Sequence, residues 1–327
     1  MRVLTILFLL AVLGTGVVCY RLYVPYGPQG ETFVDIPPGT RTPGIAQALE
    51  EAGIIRSRRG FEMLRLIKGG KLKAGEYRFD HPDTLLNTYA RLIKGDVFTL
   101  TLSVPEGYNI YDIAQAAETA KLGTREGFLA AAQSQTALIA DYSPTADSLE
   151  GYLFPDTYHF SRHVTDDEMV AAMVHRFRQR AAQMGLANQV EETVTMASLV
   201  EKETGVEDER PLIAGVFYNR LQKGMPLETD PAVIYAALRE NRYRGSIYAS
   251  DLASPSAYNT YKHGGLPPGP ICNPGVASLK AALHPAQTDY LYFVSDATGH
   301  SRFSVDLEHQ NENVEQYRHS VESHTSP

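Results

Sequence analysis

Two glutamates stand two positions apart in LVEKETG, Leu199 to Gly205, at the end of the stretch Val194-Thr195-Met196-Ala197-Ser198-Leu199-Val200, which is otherwise apolar or small. A carboxyl group drawn into an apolar wall loses the hydration of its charged form, so its pKa rises and it can hold a proton near neutral pH. That is what a general acid requires. On a helix advancing about 100° per residue, Leu199, Met196, Val200 and Ala197 span one apolar arc, and Glu203 projects inside it, between Leu199 and Val200. Glu201 falls at the margin, beside Ala197 and Val194. Position therefore favours Glu203 as a proton donor, with Glu201 as runner-up. If the helix ended near Lys202, both acids would simply be solvated.

Other chemistries lose support. No His-Glu-x-x-His, Ser-x-x-Lys or Gly-x-Ser-x-Gly is present, and Cys19 and Cys272 form neither a disulfide framework nor a zinc site, so no metal and no cofactor is expected. A formal charge of −8 argues against a nucleic-acid partner, which would be held by clustered Lys and Arg. A hydrolase would need a second carboxylate, for which Asp230 in Glu-Thr-Asp-Pro and Asp156 in Phe-Pro-Asp-Thr are candidates. Turn closure or helix capping is the competing use of both. Sugar rings call for amides, hydroxyls and flat aromatic faces. Asn259-Thr260-Tyr261 and the Leu266-Pro267 turn supply these, as does Asn219, for which a purely structural place near a helix end is equally open. The chain has no Trp and 19 Tyr, so any stacking falls to Tyr and Phe.

The elements that must position these groups follow from periodicity. Helical patterns run over Asp166 to Met184, Val190 to Thr204 and Arg210 to Leu221, and Asp289 to Ser295 alternates as a strand with Arg302 to Val305 as a hairpin partner. The Pro- and Gly-rich run from Ser254 to Gly275 reads as a binding surface or lid. Upstream lies a repeat: Ile36 to Gly53 aligns with Val104 to Lys121 at an offset of 68, with seven identities between Pro37 and Glu50. Each copy reads as a strand, a Pro-x-Gly turn and two helices, and Ala74 to Phe79 reads as a further strand. Such β-α-α-β modules resemble LysM domains, which bind N-acetylglucosamine-containing glycans; a plain spacer is the alternative. The first segment, VLTILFLLAVLGTGVV (Val3 to Val18), is just long enough to span a bilayer and lacks a small-residue cleavage site, so an uncleaved anchor is favoured over a signal peptide. Arg2 places the body outside the cytoplasm.

The phrases ASLVEKETG, GVFYNRL, PLETDPAVIYA, AYNTYKHGGLPPGPICNPG and SLKAALHPAQTDYLYFV, in that order, resemble the YceG-like family of endolytic murein transglycosylases, the MltG type. The resemblance implies a lyase that cuts peptidoglycan strands internally and leaves 1,6-anhydro-N-acetylmuramoyl ends. It also implies a single-pass cytoplasmic-membrane protein working beside peptidoglycan synthases. The family's acid falls in Glu-Lys-Glu-Thr, and the Glu-Thr pair at Glu203 matches the lysozyme-like transglycosylase pattern. The expected fold is α+β: a membrane anchor (1–24), a LysM-like module with an internal repeat (25–130), and a mostly helical, lysozyme-like catalytic domain with a small antiparallel sheet (131–327). A lysozyme-type hydrolase and a non-catalytic peptidoglycan-binding scaffold are the competing readings.

Overall fold

The computed structural model describes residues 2–296 and 298–325. Two compact units divide the chain, one through Leu100 and one from Thr101. The fold is α+β, with helices predominating and small two-stranded sheets.

The first unit begins with α1 (Arg2–Tyr23), which the rest of the chain leaves unburied. The Pro- and Gly-rich segment after it is not a free linker, because Tyr26 and Asp83 exchange two main-chain hydrogen bonds of 2.9 and 3.1 Å. Then come β1 (Thr32–Ile36), α2 (Thr42–Glu51), α3 (Arg58–Lys68), β2 (Gly75–Phe79) and α4 (Leu85–Lys94). β1 and β2 pair antiparallel in a register that sets Val34 opposite Tyr77 and Ile36 opposite Gly75. Alternation along β1 turns Val34 and Ile36 onto a core with Leu49, Phe61, Leu64 and Leu92. Ser57 and Thr84 cap α3 and α4, each accepting a main-chain N–H three residues on.

β3 (Leu100–Ser103) leads into the second unit, which continues with α5 (Ile110–Thr119), α6 (Arg125–Ser134), β4 (Thr157–Phe160), α7 (Asp166–Met184) and α8 (Val190–Glu203). After these come α9 (Arg210–Gln222), α10 (Asp230–Arg239), the short α11 (Ala249–Leu252), α12 (Val276–Leu283), β5 (Tyr292–Ser295), β6 (Ser301–Ser304) and α13 (Leu307–Thr325). The sequence repeat is real in three dimensions. Copy one closes with β2, and copy two, delayed by an insertion, closes with β4, which pairs with β3. Gly39 and Gly107 take φ of 84° and 79° in the equivalent turns, a region that favours glycine. The sequence groups both copies in 25–130, but the compact division falls between them, so copy two packs within the second unit.

One residue explains much of that packing. The Asn273 main chain donates to Tyr108 O (2.8 Å) and accepts from Gly107 N–H (3.0 Å). Its side-chain amide donates to Tyr108 O (2.9 Å) and Glu150 Oε1 (3.0 Å), while its carbonyl accepts from Leu153 N–H (2.8 Å). Asn273 is fully buried, so water cannot replace these partners. Asn273→Ala therefore leaves several buried groups unpaired, and denaturant unfolding should show a loss of about 2–4 kcal/mol. An unchanged unfolding midpoint would contradict this role.

Candidate active site

α8 is buried without interruption from Thr193 to Val200. Its middle is welded to the Pro- and Gly-rich segment: Ser198 Oγ donates to Thr195 O (2.7 Å) and accepts from Ile271 N–H (3.0 Å). A buried helix must still end, and its last turn carries the two acids.

Glu201 has a side chain only 5% exposed and is fully engaged. Its Oε1 accepts from Arg210 Nη2 at 3.0 Å, and its Oε2 accepts from Gly275 N–H at 2.9 Å, at the start of α12. Lys202, its neighbour in sequence, turns away and donates to Gly107 O at 3.4 Å. The reason is geometric. A single 3-10 turn after α8 brings Arg210, also buried, back beside Glu201.

Glu203 is the last residue of α8 and lines a cleft of about 280 Å³. Phe217, Tyr261, Tyr292 and Phe293 supply its aromatic walls, and Glu228, Asp230 and Gln310 add polar atoms. Burial pushes the Glu203 carboxyl up to about 7, and the negative charge of Asp230 pushes the same way. The Thr229 hydroxyl and the Arg220 charge oppose these effects without cancelling them. That hydroxyl is buried and makes no well-formed hydrogen bond among the described residues. Glu203 thus sits where a carboxylic acid can keep its proton near neutrality and still reach a ligand.

Asp230 opens α10, where it forms part of the cleft wall, and accepts a hydrogen bond from Tyr261 Oη at 2.7 Å. The sequence pattern Thr-Asp-Pro thus marks a helix start with Pro in its first turn. Arg220 spans the floor of the cleft. Its Nε donates to Leu291 O (2.7 Å), and its Nη1 to Pro226 O (3.1 Å), Leu227 O (3.0 Å) and Glu228 Oε2 (3.2 Å). These bonds tie the segment before α10 to the β5–β6 hairpin.

Of the predicted contact residues, the structure brings Asp230 and Tyr261 to Glu203. Asn219 uses its amide hydrogens on Thr288 O (2.7 Å) and Tyr290 O (3.0 Å), holding the approach to β5. Asn259 is wholly buried; it donates to Leu252 O and Ser254 O and accepts from Tyr261 N–H, so it shapes the turn that presents Tyr261. Leu266 is half-buried and Pro267 buried, and neither lines this cleft. Asp156 is held by Arg176 at 2.6 Å and by Thr157 N–H, away from Glu203. A larger open groove, about 720 Å³, runs along β3, α5 and Lys202. Its Asp112 is committed to the capping box of α5 and its Lys202 reaches Gly107; burial and then the charge of Glu201 push its Glu106 carboxyl up, but Tyr108 is the one aromatic side chain in its lining, against four in the Glu203 cleft.

Sequence reasoning missed the aromatic wall from Tyr292 and Phe293, although it found their strand. It also missed Glu150, a fully enclosed carboxyl that burial pushes up to about 8. Glu150 accepts from Ile110 N–H at 3.0 Å and from Asn273, so it joins α5 to the core and not to the cleft.

The sequence profile of the YceG-like family matches residues 34–316. The chain belongs to the YceG-like family. It is 33% identical to a protein of Bacillus subtilis (strain 168) named endolytic murein transglycosylase, over 87% of this chain and 84% of that one. A protein of the same name from Streptococcus pneumoniae (strain D39) is 35% identical over 88% of this chain, which spans 58% of that longer relative. The crystal structure of a YceG-like protein from Listeria monocytogenes superposes with a TM-score of 0.57 at 32% identity, covering 87% of this chain and 99% of that one.

The two acids of α8 should separate in stability measurements. Glu201→Ala strands Arg210 in the interior and should cost about 3–5 kcal/mol at neutral pH. Glu203 differs in sign. Its folded pKa lies above the unfolded value, so the folded state binds the extra proton and loses stability as pH rises from about 4.5 to about 7. Glu203→Gln removes that cost. It should be more stable than the parent at pH 8, by roughly 1–3 kcal/mol, and little different at pH 4.5. Thermal unfolding of both variants at the two pH values tests this; a loss of stability for Glu203→Gln at pH 8 would contradict it.

Proposed function

We infer that this chain is an endolytic murein transglycosylase, a lyase that cuts the glycosidic bond between N-acetylmuramic acid and N-acetylglucosamine within peptidoglycan strands. The observation that carries this reading is the Glu203 carboxyl, raised to about 7 in an aromatic-walled cleft, in a chain whose family relatives bear that name.

A glycosidic oxygen leaves only if it is protonated as the bond breaks, while positive charge develops at the anomeric carbon. Protonated Glu203 supplies that proton. The C6 hydroxyl of the same muramoyl ring then attacks the anomeric carbon, and ionised Glu203 takes the hydroxyl proton. The product is the 1,6-anhydro ring, and the acid is restored. One carboxyl serves both steps, and attack within one ring gains the advantage of proximity. Asp230 and Tyr261, hydrogen-bonded to each other in the cleft wall, are the contacts for the sugar beside Glu203. Asp230 also supports the competing lysozyme-type hydrolase, because a second carboxylate lines the same cleft.

The LysM-like reading of residues 25–130 rests on the β-α-α-β plan, which copy one completes within that range while copy two closes only at β4, with a glycan-binding or spacing role; residues 131–327 are the transglycosylase region of this proposal. Val3–Tyr23, apolar and left unburied, is long enough at about 1.5 Å per residue to cross a bilayer. We place it as a single-pass anchor in the cytoplasmic membrane, with the cleft on the extracytoplasmic side. A tethered cutter there meets strands still being made by peptidoglycan synthases.

Digestion of purified peptidoglycan followed by mass spectrometry of the products should give anhydro ends, with Glu203→Gln reducing cleavage at least about 100-fold. Reducing ends would establish the hydrolase, and absence of cleavage a scaffold. Because the acid must begin protonated, kcat/KM should be flat below pH about 7 and fall above it. A rise through that range would overturn the role of Glu203.

A further inference from the structure

Helix α3 buries Phe61 and Leu64 and turns Met63, Leu66 and Ile67 outward, leaving them 59%, 86% and 76% exposed. Positions i, i+3 and i+4 share one helical face. Leu66 is more exposed than any large apolar side chain of α1 among the described residues, yet it belongs to a folded module. Such a face on a water-facing surface normally marks a contact.

Its charge says what kind. In a chain of net charge −8, the stretch from Arg58 to Lys73 carries six basic residues and one acid, Glu62. Arg59, Lys68 and Lys71, all exposed, flank the apolar residues. A second copy would bring like charges together, and three apolar side chains are too few for a stable protein interface. Apolar residues rimmed by Lys and Arg instead match a bilayer surface bearing anionic headgroups.

Location points the same way. The start of α3 is fixed at the exit of α1. The Arg56 guanidinium lies 4.7 Å from the centroid of the Tyr20 ring and 4.6 Å from that of Tyr26, and donates to Pro25 O at 3.1 Å. Arg21 and Val24 share a small cavity with Ser57 and Gly60.

We propose that the outward face of α3 docks on the membrane that holds α1, seating Met63, Leu66 and Ile67 at the acyl boundary of an anionic bilayer while Arg59, Lys68 and Lys71 meet lipid phosphates. This rests on the anchor reading of α1. Docking at a second point, beside the first, removes the free swivel that a single helix would leave to the first unit.

The test uses the full chain in nanodiscs containing phosphatidylglycerol and a spin-labelled quencher lipid, in a Cys19→Ser background. Cys272 is buried and does not compete for label. A fluorophore on Leu66→Cys should be quenched, as should one on Thr15→Cys in α1. Combining Arg59→Glu, Lys68→Glu and Lys71→Glu should abolish quenching at position 66 only, with the unfolding temperature unchanged. Quenching at position 15 but not at 66 overturns the docking and leaves the anchor standing. Quenching at neither removes the anchor and the docking with it. Shielding at 66 that grows with the number of chains per disc, and not with quencher lipid, assigns the face to a second copy and overturns the proposal.

Discussion

The structure turns on how a helix buried from Thr193 to Val200 ends in two carboxylates. Neither can be treated as a surface residue, and the chain satisfies them in opposite ways. Glu201 receives a guanidinium and a main-chain N–H, so both of its carboxylate oxygens are engaged. Glu203 receives only a poorly aligned hydroxyl and a more remote guanidinium already engaged by carbonyls, while Asp230 adds a negative charge nearby. Its neutral form is the one supported. Two acids two residues apart therefore meet different surroundings because of what the neighbouring elements bring to each.

Those elements are organised around the same helix end. The start of α12 meets Glu201, the Ser198 hydroxyl receives the Ile271 main chain, and Asn273 links the intervening strap to copy two of the repeat. In copy one the Pro-x-Gly turn is exposed at Gly39; in copy two the equivalent Gly107 is buried and bonded to Asn273 and Lys202. One small unit has thus been used twice, once as a module with its own core and once as a brace beneath the α8 terminus. Absorption into the larger core explains why its closing strand, β4, is displaced by an insertion that also supplies Glu150.

Much of this was legible in sequence, in proportion to how local the signal was. The 3.6-residue period of α8 placed Glu203 in an apolar arc, alternation found the β5 strand, and identities at a fixed offset found the repeat. What failed depended on distant partners. Glu201 lies at the margin of the arc and stays runner-up for the acid, because nothing local reveals that Arg210 returns to it. For Asn219 the sequence leaves a sugar contact and a structural place equally open, and for Asn259 it favours the contact, since an amide that ties a loop and an amide that binds a hydroxyl have the same side chain; only the carbonyls around them tell the two apart. The division of the repeat between two units was hidden for the same reason, since both copies carry the same pattern while only one has a partner to brace.

A carboxyl near 7 suits a reaction in which one group both gives and takes a proton. A much lower value would leave the acid ionised before the bond breaks; a much higher one would leave its proton too tightly held to be given up to the leaving oxygen. Burial is the largest cause of the rise and Asp230 adds to it, while Thr229 and Arg220 oppose it. Asp230 has a special place among them because Tyr261 reaches its carboxylate from the same strap that carries Asn259, so the conformation of that strap adjusts the field at Glu203. A sugar ring seated in the cleft excludes water from this group, which deepens the burial that keeps Glu203 protonated.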